Sequence, residues 1–262
     1  DAIDRTLPVF PARKPRQPMV ENGTLMIIGG GGMPGGLMDE MIELAGGKEK
    51  AKLVYVPCSE RTTVGIKQGM VEAWKRMGVK QATFIHTKDR HKANSDEEFL
   101  APLKDATGLF FGGGRQWNFA DSYYGTKAHK LMKDVLKRGG VIAGSSAGAS
   151  IQGRYLARAT PIANFRIMAF GYERGGLGFL DGVAIDQHFS QRGRLADMEA
   201  LVARFPQLLG IGLDESTAIV VRGSVAEVLG LHKAHFYAGD KRARLGAKSF
   251  YDLKRRAVLP VR

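Results

Sequence analysis

The sequence predicts an α/β protein, a three-layer sandwich with a mainly parallel central sheet and helices on both faces. Over about the first 160 positions, short apolar segments of strand length alternate with helical patterns of about ten to fifteen residues. Glycine-rich loops follow three of these apolar segments, as expected for turns from a strand into a helix. After about Thr160 the alternation ends, and short strands follow with Gly, Asp and Ser at their corners. These strands predict antiparallel or mixed pairing in the C-terminal third, where they are expected to close one edge of the sheet.

Each predicted unit is an apolar strand, a loop and a helical pattern. The units in chain order are Gly23 to Ile28 with "LMDEMIELAGG", "AKLVYVP" with Val64 to Met77, "QATFIHT" with Ser95 to Leu103, "ATGLFFGGG" with Phe119 to Arg138, and "GGVIAGSSAG" with "ASIQGRYLA". With 262 residues and 44% apolar content, the chain suffices for one large core. We therefore assign residues 23–262 to a single α/β domain and residues 1–22 to a Pro-rich, basic N-terminal arm.

Composition limits the kinds of site and partner. The single cysteine, Cys58, excludes an internal disulfide framework, and no Cys/His cluster has the spacing of zinc ligands, so we predict no metal. No apolar run approaches the about 18 residues of a membrane span, so we expect a soluble chain with no membrane partner. Composition leaves both a cytoplasmic and an exported location open.

The net charge of +13 raises nucleic acid as a partner. The basic residues are dispersed through segments such as "KEKAK" and "DKRARLGAK", without interleaved aromatic residues that would stack on bases. We therefore favour a solvated basic surface and predict no nucleic-acid partner.

The first glycine loop, "IIGGGGMPGG", is similar in spacing to a dinucleotide-binding turn. Pro34 stands where the turn should enter a helix, and the next strand ends in Pro57 and Cys58 where a ribose-binding acid is expected. We therefore predict no nucleotide cofactor. The favoured interpretation is a tight turn beneath a pocket, where small residues let the backbone approach closely.

Two further loops each follow a predicted parallel strand, so they lie at the same edge of the sheet. Open α/β sheets bind ligands at that edge. In Gly144-x-Ser146-x-Gly148, a strand runs into a helix and the pattern matches a nucleophile elbow, with the Ala147 N–H free to bind an oxyanion. The alternative is that a serine caps the helix. In the loop "FFGGGRQWNF", the N–H groups of Gly113 and Gly114 can point at the same oxyanion. The alternative is that the loop is an ordinary strand-to-helix turn.

A nucleophilic serine needs a base and an acid that orients the base. Of six histidines, His91 and His129 lie in polar segments and are expected to be solvated. His86 ends a strand and stays an alternative base, but His188, which ends an apolar strand in "VAIDQHFSQRGR", is favoured. The acid is expected in "GIGLDESTAIVV", where Asp214 and Glu215 both stand between two apolar strands. The residues alone leave the choice between these acids open.

Together the segments "FFGGGRQ", "AGSSAGA", "DQHFSQRGR" and "GIGLDESTA" resemble the cyanophycinase and peptidase E group, serine peptidases of family S51, over about residues 23–232. The resemblance implies a class I glutamine-amidotransferase-like, flavodoxin-like fold, no cofactor and a homodimer. It assigns Ser146 as nucleophile, His188 as general base and Glu215 as the acid, and we expect the N–H groups of Gly114 and Ala147 to bind the oxyanion.

The resemblance also implies a substrate, cyanophycin or a related aspartyl-arginyl peptide, cleaved to β-Asp-Arg dipeptides. The residues expected to bind substrate are Gln116 and Asp186, which match pocket residues of the family, and Arg192 and Arg194, which can donate to a carboxylate. Asp186 and Glu173 are expected to bind a guanidinium group of the substrate. The alternative for both arginines is that they begin the solvated face of a helix.

Arg115 departs from the family, because cyanophycinases commonly carry an acid at this point of the glycine loop. A cation there would repel the arginine side chain of cyanophycin. Two alternative functions therefore stay open: a peptidase E-like enzyme that cleaves Asp-X dipeptides, and a catalytically idle, amidotransferase-like binding module.

Overall fold

The computed structural model describes residues 8–58, 69–163, 166–168 and 171–260. The strands are β1 (Val20–Ile28), β2 (Lys52–Val56), β3 (Gln81–Phe84), β4 (Gly108–Phe111), β5 (Val141–Ser145), β6 (Gly153–Tyr155), β7 (Leu180–Gln187), β8 (Leu209–Leu213), β9 (Thr217–Gly223), β10 (Val225–Gly230), β11 (Ala234–Ala238), β12 (Lys241–Leu245), β13 (Phe250–Asp252) and β14 (Ala257–Leu259). The helices are α1 (Leu37–Leu44), α2 (Gly47–Lys50), α3 (Gly69–Arg76), α4 (Arg90–Ser95), α5 (Glu97–Asp105), α6 (Trp117–Tyr123), α7 (Lys127–Lys137), α8 (Ala147–Ser150) and α9 (Leu195–Arg204).

The central sheet has the strand order β14-β13-β10-β9-β1-β5-β4-β2-β3. The strands from β1 to β3 in this order pair in parallel, and β9, β10, β13 and β14 extend the sheet in antiparallel pairing. Ile28 is in register with Ser145, and Phe111 with Gly144, so β1, β5 and β4 end at the same edge. The predicted mixed α/β class with mostly parallel central strands is confirmed.

A second sheet has the order β12-β11-β8-β7-β6, with β6, β7 and β8 parallel and β11 and β12 antiparallel. Gln187 is in register with Leu213, so the residues after β7 and β8 emerge side by side. We expected the C-terminal strands to close one edge of the central sheet. β9 and β10 do so in antiparallel pairing, whereas β8 pairs with β7 and, with β11 and β12, forms part of this separate layer.

Helices and the second sheet cover the central sheet. On one face, α1 and α3 bury Met41 and Trp74 against Phe110 of β4 and Val141 of β5. Another buried cluster joins residues of the central sheet, α5 and α7 with residues of the second sheet. Within the described ranges, no helix combines the length and apolar character needed to cross a bilayer.

Three predicted helices differ from those observed, and local capping explains two of the differences. Phe119 to Arg138 is divided into α6 and α7, because Gly125 turns the chain at φ 74° and the Thr126 side chain accepts from the His129 N–H. Likewise, the Asp96 side chain caps α5 after α4 has ended. The helix predicted after Ser146 is one turn, α8, because the chain enters β6 at Gly153. Of Val64 to Met77, residues 64–68 lie outside the described residues.

The N-terminal arm reaches the second sheet. β1 begins at Val20, so the last residues of the predicted arm already belong to the central sheet. Before this strand, the Phe10 ring stacks on the ring of Tyr155 in β6, with 5.9 Å between centroids. The division into arm and single domain stays a prediction.

Candidate active site

Ser146 lies at a strained turn between β5 and α8. Its φ of 57° and ψ of −114° fall outside the regions that L-residues favour, at a cost of about 1–3 kcal/mol. Its N–H donates to the Ile28 carbonyl at 3.0 Å, which ties the turn to the end of β1. A Cβ at Gly148 would lie 2.0 Å from the Phe111 carbonyl oxygen, and one at Gly144 would lie 2.2 Å from that of Gly148. The elbow therefore needs both glycines of the motif.

The side chains of Ser146, His188 and Glu215 form a hydrogen-bonded chain. His188 Nε2 lies 2.9 Å from Ser146 Oγ, and His188 Nδ1 lies 2.5 Å from Glu215 Oε1. β7 ends just before His188, and β8 ends two residues before Glu215. His188 also has a positive φ, 49°, so two of the three residues sit in strained backbone. The three groups stand in the order that a serine, an imidazole base and an orienting carboxylate require.

The first glycine loop lies beneath this chain of side chains. A Cβ at Gly30, where φ is 99°, would lie 2.3 Å from Cε1 and 2.5 Å from Nε2 of His188. A Cβ at Gly31 would lie 2.8 Å from Cβ of Glu215. The interpretation as a tight turn with close backbone approach is confirmed, and the loop's contact is with the side chains of His188 and Glu215.

Backbone hydrogen bonds hold the loops together. The His188 N–H donates to the Gly29 carbonyl at 2.7 Å, and the Ser216 N–H donates to the Gly30 carbonyl at 2.8 Å. The Gln191 side chain, to which the sequence gave no specific role, accepts from the Glu215 N–H at 3.0 Å. The imidazole and the carboxylate are therefore positioned by contacts that do not use their reactive atoms.

Asp214, the other candidate acid, turns away from His188. One oxygen accepts from the Ser190 N–H at 2.9 Å and lies 3.3 Å from Nε2 of His235, and the other accepts from the Lys233 N–H at 3.2 Å. Burial alone would raise the pKa of Asp214, but the hydrogen bonds from His235 and Ser190 bring it well below its usual range. Asp214 thus anchors neighbouring loops, and Glu215 contacts the imidazole.

The second glycine loop borders Ser146. A Cβ at Gly113 would lie 3.5 Å from Cβ of Ser146, an ordinary contact distance. Within the described residues, the backbone N–H groups of Gly113, Gly114 and Ala147 have no backbone or side-chain acceptor. The Cys58 thiol, to which the sequence gave no role at the site, donates to the Arg115 carbonyl at 2.9 Å and fixes this loop. Two loops next to Ser146 therefore present N–H groups free to bind an anionic oxygen.

Gln116 and Arg192 occupy different environments. Gln116 is buried, and its Nε2 donates to the carbonyls of Ala157 and Arg158 at 2.9 and 2.8 Å, which joins the glycine loop to the loop after β6. Arg192 is exposed, four residues after His188, and within the described residues its guanidinium makes no hydrogen bond or ion pair. Arg192 thus offers a cation next to the site.

Asp186 and Arg194 contact each other. Arg194 Nη1 donates to Asp186 Oδ1 at 2.8 Å, and Arg158 Nε donates to Asp186 Oδ2 at 2.8 Å. All three side chains are buried, and Arg194 also donates to the Gln187 carbonyl. The sequence suggested that these groups are offered to substrate, but the fold uses both carboxylate oxygens within the chain. The network fixes the segment that leads into His188, and direct contact of Asp186 or Arg194 with substrate stays a prediction.

The surroundings of His188 favour its neutral form. Burial lowers the pKa of His188, the hydrogen bond to Glu215 raises it, and the positive charge of Arg192 lowers it again. The net result is a pKa below the ordinary value for histidine. The imidazole is therefore unprotonated at neutral pH, as a base must be.

Arg115 is exposed, and its guanidinium lies 5.8 Å from the centroid of the Trp117 ring, so the chain carries a cation on the glycine loop.

The expectation that His129 is solvated is wrong. His129 is buried on α7, where Nδ1 accepts from the Gly125 N–H and Nε2 lies 2.7 Å from the Leu177 carbonyl.

Comparison with known proteins places the chain in a peptidase family with a mixed α/β fold. Residues 25–229 match the model of Peptidase family S51, and the chain belongs to that family. The chain is 29% identical over 191 residues to the cyanophycinase of Trichormus variabilis, and 28% identical over 188 residues to that of Geminocystis herdmanii. These alignments cover 70% and 71% of this chain, and 62% and 68% of the relatives. The chain thus spans less than two thirds of the length of the first relative.

Solved structures agree with this assignment. A peptidase from an acI-B1 Actinobacterium superposes with a TM-score of 0.64 at 25% identity, over 89% of this chain and 97% of that chain. A putative peptidase E protein from Listeria monocytogenes superposes with a TM-score of 0.54 at 15% identity, over 80% of this chain and 99% of that chain. The second likeness shows the fold alone.

Proposed function

We propose that this S51 peptidase is a serine-type exopeptidase in which Ser146 Oγ attacks a peptide carbonyl. The observation that carries the proposal is the hydrogen-bonded chain from Ser146 through His188 to Glu215 at a strained strand-to-helix turn. His188 Nε2 accepts the serine proton as the C–O bond forms and returns it to the departing amine as the C–N bond breaks. Glu215 holds the Nδ1–H and balances the charge of the imidazolium that forms.

The N–H groups of Ala147 and Gly114 are proposed to bind the negative oxygen of the tetrahedral intermediate. Both loops border Ser146, and both N–H groups are free within the described residues. Donors that are fixed before the reaction stabilise the developing charge without reorganisation, and one such donor is worth about 10²–10³ in turnover. Water then attacks the acyl-enzyme with His188 as base and releases the second product.

The proposed substrate is cyanophycin or a related aspartyl-arginyl peptide, cleaved to β-Asp-Arg dipeptides. The support is the likeness to two proteins named as cyanophycinases, together with the exposed guanidinium of Arg192 beside His188, which can pair with a substrate carboxylate. In this proposal Gln116 and the Asp186–Arg194 pair shape the pocket wall.

A second candidate is a peptidase E-like enzyme that cleaves Asp-X dipeptides. A specific observation favours it: both oxygens of Asp186 are already bound to arginines of this chain, so this carboxylate is not open to a substrate guanidinium. The exposed guanidinium of Arg192, beside His188, suits a substrate rich in carboxylates.

Product analysis distinguishes these candidates. The protein is incubated with cyanophycin and, separately, with Asp-X dipeptides, and the products are identified by mass spectrometry. We expect β-Asp-Arg from cyanophycin and no product with the Ser146→Ala variant. Cleavage of the dipeptides alone would move the function to the peptidase E type. Cleavage of neither substrate would leave the binding module.

We also propose that the protein is a homodimer, as the family resemblance implies. The chain mass is 28.5 kDa. Light scattering should therefore give about twice that mass, and a value at the chain mass would refute the dimer.

A further inference from the structure

A cavity of about 830 Å³ lies beneath the N-terminal arm, remote from Ser146. Arm residues line one side, and α7, β6 and the start of β7 line the others. Asp181 is in this lining near the start of β7, and His188 follows the end of the same strand. At about 3.3 Å per residue, the strand separates them by roughly 20 Å. The cavity is therefore distinct from the candidate active site.

The arm is fixed in place as one wall of this cavity. The guanidinium groups of Arg154 and Arg174 lie 5.0 and 5.1 Å from the centroid of the Phe10 ring. Arg174 Nη2 also donates to the Pro8 carbonyl at 2.7 Å. Cation–π contacts, ring stacking on Tyr155 and this hydrogen bond make the wall part of the folded structure.

The lining is strongly basic. Its only carboxylate among the described residues is Asp181, and its cationic side chains are Lys14, Arg16, Lys133, Arg154 and Arg174. A neighbouring cavity of about 520 Å³ shares Arg16, Lys133 and Asp181 with it. Such an excess of positive charge around a concave space attracts anions.

Lys133 is a half-buried cation whose charge is poorly balanced. On the same helix, Lys127, Lys130 and Lys137 reach carboxylates at 2.5, 3.1 and 2.8 Å, but Lys133 makes no such contact within the described part of the chain. Burial lowers the pKa of Lys133, Asp181 raises it, and Arg154 and Arg16 lower it again, leaving it below the usual value for lysine. A cation taken from water without a close partner is costly, and a bound anion offsets that cost.

Three side chains converge on the bare backbone of Gly178. A Cβ placed there would lie 3.8 Å from Lys133 Nζ, 3.6 Å from Asp181 Oδ1 and 3.0 Å from Arg154 Cδ. Arg154 itself is bound to the carbonyls of Arg174 and Gly176, so its charge is fixed at this place. Gly178 lines the neighbouring cavity, so Lys133 and Asp181, which line both cavities, lie at the boundary between them, and Arg154 is held beside them.

We propose that this cavity binds an oxyanion group, a phosphate or a carboxylate, through Lys133 and Arg16. Arg16 is exposed at the mouth and has no side-chain hydrogen bond within the described residues, so its planar guanidinium is free to contact two oxygens of one group. Lys133 supplies a single charge from below. A ligand that carries such a group would link the arm to α7.

Thermal unfolding of the full chain tests the proposal with sodium phosphate and with sodium succinate, each against sodium chloride at the same ionic strength. The expected result is a saturable rise in the Tm of the wild-type protein with at least one of the two anions. The anion with the lower Kd in isothermal titration identifies the chemistry as phosphate or carboxylate. No rise beyond that in chloride with either anion would overturn the proposal.

Four variants locate the binding. Lys133→Met and Arg16→Gln should each raise the Kd at least tenfold, and Lys133→Met should not lower the Tm without ligand, because it removes a poorly balanced cation. Lys130→Gln, on the same helix but outside the cavity, and Arg192→Gln, beside the candidate active site, should bind as the wild type does. Unchanged binding by both Lys133→Met and Arg16→Gln, or binding lost in Arg192→Gln, would overturn the proposal.

Discussion

The Gly30→Ala substitution should displace the imidazole of His188 without adding or removing a reactive group. The new Cβ would lie 2.3 Å from Cε1 and 2.5 Å from Nε2, whereas carbon atoms in contact are normally about 3.5–4.0 Å apart. The ring or the loop must therefore move by about 1 Å or more. The hydrogen bond from Nε2 to Ser146 Oγ is 2.9 Å long and weakens steeply over such a change.

The expected loss in kcat/KM is about 100-fold, because a displacement of about 1 Å in a catalytic arrangement commonly costs that much. This corresponds to about 2.7 kcal/mol at about 1.36 kcal/mol per tenfold change. Gly30 also has a φ of 99°, so alanine adds about 1–2 kcal/mol of backbone strain, and the Tm should fall by a few degrees.

The assay is kcat/KM on the substrate identified by product analysis, with the Tm measured on the same samples. Gly35→Ala is the matched control in the same loop, since a Cβ at Gly35 meets no atom within 4 Å. Its kcat/KM should stay within twofold of the wild type. Two results would refute the claim that the close approach of Gly30 positions the His188 imidazole. One is a Gly30→Ala variant that keeps more than a tenth of the wild-type kcat/KM, and the other is a Gly35→Ala variant that loses as much as Gly30→Ala.

Single substitutions can remove the charges around the site one at a time. Arg192→Gln removes a cation that disfavours the imidazolium, so the pKa of His188 should rise and the acid limb of the kcat/KM profile should move to higher pH; a shift to lower pH contradicts this. Glu215→Gln should reduce kcat by about 10²–10⁴ with little change in Tm, whereas Asp214→Asn should mainly lower the Tm; the reverse ranking would assign the acid to Asp214. Asp186→Asn leaves two buried guanidinium groups without their shared carboxylate, so the free energy of unfolding, measured by chemical denaturation, should fall by about 3–5 kcal/mol. An unchanged free energy of unfolding would exclude the ion-pair network as a stabilising element.

Local sequence patterns predicted the parallel strands of the fold. They could not predict which strands pair when the strands are distant in the sequence. Alternating strand and helix patterns identify β1 to β5, because each strand is followed by a helix or a glycine loop. β1, β2, β4 and β5 are largely buried, whereas β3 lies at the edge of the sheet and exposes Gln81 and Thr83. β8 is fully buried, and its apolar sequence does not specify whether it joins the central sheet or β7. Which strand it pairs with is decided by tertiary contacts.

The main residues of the candidate site could be predicted from the sequence, but not all of their contacts. Ser146 and His188 follow strand ends directly and Glu215 follows one closely, which makes them recognisable as candidates in the sequence. The structure brings them together, although β5 belongs to the central sheet and β7 and β8 belong to the second sheet. Their catalytic roles stay predictions. The choice between Asp214 and Glu215 depends on which way adjacent side chains point. The pairing of Asp186 with Arg194 was likewise beyond local patterns, because both residues also suit a substrate pocket.

Fluorophosphonate labelling tests whether His188 activates Ser146. The reagent reacts with an activated serine hydroxyl, and digestion followed by mass spectrometry identifies the labelled residue. We expect one label per chain on Ser146, and none in Ser146→Ala or His188→Ala. Labelling should be undiminished in Ser145→Ala, because the Ser145 hydroxyl makes no hydrogen bond to His188 within the described residues. A label on Ser145, labelling that persists in Ser146→Ala, or no labelling of the wild-type protein would contradict this expectation.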